Sequence, residues 1–141
     1  MSEPVVNIGS NIILEKDGKV LLGKRLNSAG AGDWGFPGGH VELGETFKAT
    51  ITRELLEEIG LTVKNLDFLG IVNQPHQESG KHYLQIVFSS KDFEGELTNL
   101  EPEFCEEWKW FDLNALPENI FYAHKDFLSL KNKPGSIIET K

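Results

Sequence analysis

The segment between positions 36 and 60 limits most strongly what this chain can fold into. It begins with Phe-Pro-Gly-Gly, and two adjacent glycines let a backbone approach a ligand closely. Thr46 is a favourable N-cap, Gly60 is typical of the residue that follows a helix, and an aliphatic residue recurs every four positions between 51 and 59. These signals predict an amphipathic helix over Phe47–Ile59 directly after a tight glycine loop.

This predicted helix carries three glutamates on one face. Glu54, Glu57 and Glu58 fall within about 100° of arc, where like charges repel one another. Arg53, four residues before Glu57, offsets only part of that repulsion. Clustered carboxylates are the ligands that a hard cation such as Mg²⁺ requires, so the face is a candidate metal site. The alternative interpretation is an acidic face that is simply solvated. However, the segment contains several β-branched residues, which have low helix propensity, so it does not look suited to a stable exposed helix.

The flanking sequence is rich in predicted strands. Alternation and β-branched content predict five of them, over Val5–Glu15, Lys19–Arg25, Leu66–Asn73, His82–Ser89 and Glu106–Asp112. A second, amphipathic helix is expected over Glu118–Lys131. Residues 1–131 are therefore expected to form one domain of the α/β (α+β) class, and residues 132–141, which lack periodicity, a flexible C-terminal tail.

Charge and composition exclude several classes of partner. The chain has 22 acidic and 14 basic residues, a net charge of -8, which disfavours duplex nucleic acid and anionic membranes. The single cysteine, Cys105, allows no internal disulfide. The absence of a long apolar run and of a recognisable leader predicts a cytoplasmic protein.

The same glutamates belong to a longer motif. The pattern G-x5-E-x7-R-E-U-x-E-E-x-G-U, with U aliphatic, is matched without a gap by Gly39, Glu45, Arg53, Glu54, Leu55, Glu57, Glu58, Gly60 and Leu61. It is the Nudix box, and the flanking Pro-Gly-Gly-His and Glu-Trp-Lys-Trp segments resemble those of MutT-like nucleoside triphosphate pyrophosphatases, the thiopurine-nucleotide subgroup in particular. The resemblance implies a Nudix α/β/α sandwich with a mixed β-sheet between helices.

The resemblance also implies a divalent cation, Mg²⁺ or Mn²⁺, and a set of residues to hold it. Glu57 and Glu58 are expected as the main ligands, with the carbonyl oxygen of Gly38. Glu54 is expected as either a third ligand or the general base for the attacking water. Arg53 completes the catalytic set, either by orienting Glu54 or by pairing with Glu45.

Further site residues are expected outside the glutamate helix. Relatives often recruit one more acid near the Trp-bearing segment, for which Glu107 is the first choice and Glu103 the second. For substrate binding, Arg25, Gly39 and His40 are candidates near the phosphates. The pair Phe121 and Tyr122 is the candidate for the purine pocket. The alternatives are a solvated side chain for Arg25, a structural hydrogen bond for His40 and core packing for the two aromatic residues.

The function expected from this resemblance is metal-dependent hydrolysis of a (deoxy)nucleoside triphosphate. Water would attack the β-phosphorus and release the monophosphate and pyrophosphate. The alternatives are a hydrolase of ADP-ribose or a nucleotide sugar, and a non-catalytic nucleotide-binding domain, which usually lacks one or more of the carboxylates retained here. A homodimer is also expected from relatives, although the sequence indicates no interface.

Overall fold

The computed structural model describes residues 4–75 and 80–140. In this part of the chain one α-helix, α1, spans Phe47–Ile59. The strands, in chain order, are β1 (Val6–Lys16), β2 (Lys19–Arg25), β3 (Trp34–Gly35), β4 (Gly38–His40), β5 (Thr62–Val63), β6 (Asp67–Gln74), β7 (His82–Ser90), β8 (Phe93–Glu94), β9 (Cys105–Asp112) and β10 (Ser136–Glu139).

Helix α1 has the predicted bounds because its ends are determined locally. The side chain of Thr46 accepts a hydrogen bond from the backbone N–H of Ala49 at 3.0 Å, and so caps the first turn. Gly60 adopts φ 71°, the left-handed conformation in which its N–H bonds back to the Leu55 carbonyl. Both ends of the helix are therefore encoded by residues at its own boundaries.

The strands form a mixed sheet with β1 at its centre. Strand β1 runs parallel to β7 along nine paired residues, and on its other side it is antiparallel to β4. Strand β7 is antiparallel to β6, which in turn runs parallel to β10. A second branch of β9, β2 and β3 joins β1 only at the β1–β2 hairpin, so the two branches diverge and leave an opening between them.

Both faces of this sheet are buried. Alternate residues of β1 face opposite sides: Ile12 and Leu14 pack with α1, whereas Ile13 packs with Phe127 and Leu130. The expected mixed α+β sandwich is confirmed. Within residues 4–75 and 80–140, no helix combines the length and apolarity needed to cross a bilayer.

The predicted helix over Glu118–Lys131 is wrong in type. The chain instead forms two short 3₁₀ helices, Tyr122–His124 and Leu128–Asn132. Backbone hydrogen bonds here span three residues, from His124 N–H to Phe121 and from Phe127 N–H to His124. Buried side chains therefore recur every third residue, which suits a 3₁₀ helix and not the 3.6-residue turn of an α-helix.

The prediction of a flexible tail, residues 132–141, is also wrong where residues 136–139 form a strand. Ser136–Glu139 form β10, which pairs in parallel with β6 from Gly70 to Asn73. Ile138 packs against the core on that side of the sheet. Pairing with a strand 66 positions earlier in the chain (Ser136 with Gly70) orders this segment, and local periodicity cannot reveal such a partner.

Candidate active site

A cavity of about 790 Å³ occupies the opening between the two branches of the sheet. One end is formed by the β4 glycines and by glutamates in the C-terminal half of α1, and the other by aromatic side chains. The lining at the acidic end includes Gly38, Gly39, Glu54, Glu58 and Glu101, and that at the aromatic end Phe36, Trp108, Phe121, Tyr122 and His124. One continuous space thus joins hard oxygen ligands to an aromatic pocket.

The two glycines of β4 allow the backbone of this loop to pack directly against α1. The backbone N–H of Gly38 donates to Glu58 Oε1 at 3.1 Å. A Cβ added to Gly39 would collide with the carboxylate of Glu54, and one added to Gly38 would collide with the Ser10 carbonyl. Only glycine permits both approaches, so the loop backbone and the helix carboxylates share the acidic end of the cavity.

Arg53 joins several acidic groups around this end. Its Nε bonds Glu45 Oε2 at 2.8 Å, and its Nη1 bonds Glu54 Oε1 at 2.9 Å. Its Nη2 also donates to the His40 carbonyl at 3.2 Å. The arginine therefore makes both of the contacts predicted as alternatives, and its hydrogen bonds lower the pKa of Glu45 to about 2. These contacts hold Glu54 in place beside Gly39.

Burial perturbs the two carboxyl groups that line the cavity. Desolvation raises the pKa of Glu54, although Arg53 opposes the rise. The pKa of Glu58 is raised well above its usual range by burial and then by the nearby charge of Glu54. Without a cation, two neighbouring acids therefore resist ionising together.

Glu57 occupies a more open position on the same helix. Its side chain is 50% exposed, and its nearest cationic partner is Arg53 Nη1 at 3.5 Å. It lies at the rim and is not among the residues that line the cavity. Across residues 4–75 and 80–140, no three His, Cys, Asp or Glu side chains converge closely enough to form a ready cation site, because Arg53 engages several of the helix acids.

Of the candidate acids near the Trp-bearing segment, neither Glu107 nor Glu103 lines the cavity, whereas Glu101 does. A β-bulge in β9 sets two residues, Glu106 and Glu107, against Lys24 alone. Both of these glutamates are exposed and outside the cavity, whereas Glu101 lines it. Burial and then the charge of Glu57 raise the pKa of Glu101. Glu103, the second choice, is exposed, and its carbonyl accepts a hydrogen bond from the Asn27 side chain.

The candidate phosphate-binding residues Arg25, Gly39 and His40 all line the cavity, and the side chains of Arg25 and His40 differ in their freedom to move. Arg25 donates through Nε to the Ala29 carbonyl at 2.7 Å, and its guanidinium lies 3.9 Å from the centroid of the Phe121 ring. It is thus partly committed to holding the loop after β2. His40 stacks on Tyr83 with ring centroids 5.7 Å apart, at the exposed mouth of the cavity.

Phe121 and Tyr122 lie together at the aromatic end, as predicted for a base pocket. Their rings meet edge to face at 4.8 Å, and Phe121 is 7% exposed. Phe36 serves the cavity and the core at once, since it also contacts Phe127. Trp34 belongs to the core alone and packs edge-on against Phe111.

Sequence reasoning missed several residues of the cavity, among them Glu101, His124 and Gln85. Gln85 has a recognisable signal, because it is a polar residue in the apolar centre of β7 and shares a face with Tyr83. Glu101 lies in the acidic segment before the bulge. Its orientation could not be predicted, because the sequence does not reveal the bulge. His124 carries no local signal, because only the 3₁₀ turn directs it inward.

The cavity thus brings carboxylate oxygens, which suit a divalent cation, and aromatic side chains into one space. Residues 6–130 match the NUDIX domain; the chain belongs to the Nudix hydrolase family and is a pyrophosphohydrolase. Members of this family generally use divalent metal ions.

Individual relatives support this assignment. The chain is 39% identical over 123 residues to the ADP-ribose pyrophosphatase of Methanocaldococcus jannaschii, covering 85% of this chain and 72% of that protein. It is 36% identical over 116 residues to the oxidized purine nucleoside triphosphate hydrolase of Danio rerio, covering 79% and 70%. The solved MutT NUDIX hydrolase of Burkholderia pseudomallei is 30% identical, with a TM-score of 0.83 over 92% of this chain and 98% of its own.

Proposed function

We propose that this protein hydrolyses (deoxy)nucleoside triphosphates to the monophosphate and pyrophosphate with the help of Mg²⁺ or Mn²⁺. The observation that carries the proposal is the single cavity that connects Glu54 and Glu58 to the aromatic end at Phe121 and Tyr122. The nucleotide base would enter the aromatic end while the polyphosphate reaches the acids. The likeness to an oxidized purine nucleoside triphosphate hydrolase supports this substrate class.

The residues at the acidic end suit a divalent cation. They offer carboxylate and carbonyl oxygens, which are the ligands that Mg²⁺ prefers, and Gly39 leaves the space that Glu54 occupies. Glu57, Glu58 and the Gly38 carbonyl would hold the ion, and Glu101 replaces Glu107 as the further acid. A bound divalent cation supplies charge neutralisation and Lewis acidity toward the phosphates.

Glu54 is suited to act as the general base. Its carboxylate lines the cavity, and its raised pKa makes it a better proton acceptor than an exposed glutamate. It would take a proton from the water that attacks the β-phosphorus. The bond between that phosphorus and the bridging oxygen of the α-phosphate then breaks, and the monophosphate leaves. Arg53 is a positioning residue, because its 2.9 Å contact with Glu54 holds the base in place.

The test is hydrolysis of dGTP, CTP and ADP-ribose by the purified protein with Mg²⁺ or Mn²⁺. We expect the triphosphates to give monophosphate and pyrophosphate, and in ¹⁸O-labelled water the label to enter pyrophosphate. Label in the monophosphate would place attack at the α-phosphorus instead. No cleavage of any nucleotide across metals and pH would contradict the proposal and favour a nucleotide-binding domain.

Two glutamates of the Trp-bearing region provide a matched comparison. Glu101→Gln should lower kcat/KM at least tenfold, because it removes an acid that faces the cavity, whereas Glu107→Gln should leave it unchanged. Glu57→Gln and Glu58→Gln should both abolish most activity. Equal activity in Glu101→Gln and Glu107→Gln would refute the role assigned to Glu101.

Hydrolysis of ADP-ribose or a related nucleoside diphosphate derivative is the second candidate function. It is favoured by the 39% identity to an ADP-ribose pyrophosphatase. The same assay separates the two: a kcat/KM for ADP-ribose above that for every triphosphate would reverse the preference.

A further inference from the structure

Two polar side chains, His124 and Gln85, line the cavity from elements other than the glutamate helix. They are buried, 6% and 5% exposed, and neither belongs to the metal-binding or phosphate-binding residues described above. The inference drawn from them rests on the proposed function, because it concerns the base of the nucleotide.

His124 is held as a hydrogen-bond donor of fixed direction. Its Nδ1 accepts from the backbone N–H of Phe36 at 3.0 Å. A backbone N–H can only donate, so Nδ1 carries no proton and the neutral ring must carry its proton on Nε2. The ring is clamped by stacking on Phe127 at 4.6 Å and by the edge of Phe121 at 4.9 Å. Neither the tautomer nor the orientation is therefore free to change.

The Nε2–H of His124 is available to a ligand. Within the described part of the chain, it has no hydrogen-bond partner. It is also not one of the fully enclosed polar atoms that lack one, which in those residues are Asn99 Oδ1 and Trp108 Nε1. Because His124 lines the cavity, the space that reaches Nε2 is the cavity itself.

Gln85 is oriented by a chain of amide groups with a single polarity. Gln74 Nε2 donates to the Ala123 carbonyl at 2.7 Å, and this carbonyl can only accept. The Gln74 oxygen is thereby turned toward Gln85 Nε2, 3.5 Å away, and the Gln85 oxygen accepts from Asn11 Nδ2 at 2.7 Å. With its oxygen occupied, Gln85 has one remaining Nε2 hydrogen to offer.

The two donors are connected through Gln74 and Ala123, and each is backed by glycine. The amide chain that orients Gln85 ends on Ala123, the residue before His124. A Cβ on Gly9 would collide with the Gln85 oxygen, and one on Gly35 would come within 3.0 Å of His124 Nδ1. Both side chains are thus seated against backbone, which limits any rearrangement to suit a different ligand.

We propose that His124 and Gln85 form a donor pair that recognises hydrogen-bond acceptors on a purine base, and that the cavity therefore selects a 6-oxopurine over a 6-aminopurine. A carbonyl oxygen accepts from both donors. An amino group at the same position points its own hydrogens at the two donors. Both donors are then left without an acceptor in a buried site, and the cost of these unpaired groups is what discriminates against the 6-aminopurine. The aromatic side chains hold either ring equally, so the selection resides in the polar pair.

The test is equilibrium binding of IMP and AMP by titration calorimetry with EDTA present, so that the readout depends on neither metal nor turnover. IMP should bind at least about tenfold more tightly than AMP, equivalent to about 1.4 kcal/mol. His124→Phe keeps an aromatic ring but removes the donor, and Gln85→Met keeps the volume but removes the amide. Each should reduce the IMP preference severalfold, mainly by weakening IMP.

The same titration includes a control variant and gives the results that would contradict the proposal. His82→Phe, the same change at a histidine outside the cavity, should keep the preference. If His124→Phe fails to fold, Gln85→Met alone still tests the donor pair. Equal binding of IMP and AMP by the wild type, no binding of either at millimolar concentration, or an unchanged preference in Gln85→Met would overturn the donor pair.

This result is separable from the proposed function. A protein that prefers IMP but cleaves no nucleotide retains the donor pair and loses the proposed activity. A protein that cleaves triphosphates without preferring IMP retains the activity and loses the donor pair.

Discussion

Replacing Glu58 by glutamine should stabilise the metal-free protein while removing its response to metal. The Glu58 carboxyl group is enclosed by protein and faces the charge of Glu54, and both effects raise its pKa well above the usual range. Its one hydrogen bond within the described residues comes from the Gly38 N–H at 3.1 Å. A glutamine oxygen accepts the same bond without a negative charge, so the variant keeps the contact and loses the electrostatic penalty.

The size of this effect follows from linkage. A carboxyl group whose folded pKa is raised destabilises the fold at any pH above its unfolded pKa, by about 1.4 kcal/mol for each unit of the rise that lies below the working pH. Glu58→Gln should therefore have a higher free energy of unfolding than the wild type at pH 7.5. The entropy of unfolding of 141 residues is roughly 0.3 kcal/mol/K, so each gain of about 1.4 kcal/mol corresponds to a Tm rise of about 5 °C.

Differential scanning calorimetry in EDTA and in Mg²⁺ gives the measurement. At one hundred times its Kd, the cation should add about 2.7 kcal/mol, or about 9 °C, to the wild type, and much less to Glu58→Gln. The variant should thus be the more stable protein in EDTA and the less stable one in Mg²⁺. Glu106→Gln, an exposed glutamate that pairs with Lys24 at 3.1 Å, is the control and should change neither value appreciably.

A lower or equal Tm for Glu58→Gln in EDTA would refute the reasoning, because it would mean that the carboxylate is not penalised in the folded protein. An undiminished metal shift in the variant would show that Glu58 does not bind the cation.

The other predictions concern the glycine loop, His124 and β10. Gly39→Ala should lower kcat/KM for the preferred nucleotide by at least tenfold, because the added methyl displaces the Glu54 carboxylate; unaltered kinetics would contradict the close fit. Burial lowers the pKa of His124 to about 3, so the unfolded chain binds more protons between that value and about 6.5, and stability is lost as pH falls through this window. In urea titrations between pH 7 and pH 5, the free energy of unfolding of the wild type should accordingly fall by about 2 kcal/mol more than that of His124→Leu. Equal losses in the two proteins would contradict the lowered pKa of His124. Deleting residues 134–141 should lower the free energy of unfolding by about 2 kcal/mol, because β10 loses its pairing with β6, and an unchanged urea midpoint would show that the strand adds nothing.

The features predictable from sequence are those encoded within a few residues. Thr46 and Gly60 define the ends of α1, and the four-residue spacing of its aliphatic residues defines its buried face. The spacing of Glu54 and Glu58 then places both carboxylates beside the glycine loop. Each of these inferences needs only a helix and its caps, which is why the acidic end of the cavity was predictable.

The features that escaped prediction depend on distant partners. The orientation of Glu101 and Glu107 follows from a bulge in β9, which exists only because β9 pairs with β2 across 80 or more positions, for example Arg25 with Cys105. His124 is directed inward by a 3₁₀ turn and by the N–H of Phe36, 88 positions earlier. Strand β10 likewise needs β6 to exist, and the flanking Pro134 and Gly135 resemble a tail when read alone.

The pairing of β1 has a consequence for how the protein is made. Val6 pairs with His82, so the central strand of the sheet waits for a partner 76 residues further along the chain. At about 5–20 residues per second of synthesis, that wait lasts roughly 4–15 s. During it, the run Gly9–Glu15, every residue of which is buried in the finished fold, emerges with its apolar side chains uncovered. Newly made chains should therefore be most prone to aggregate before β7 appears, and slower, cooler expression with abundant chaperones should raise the soluble yield.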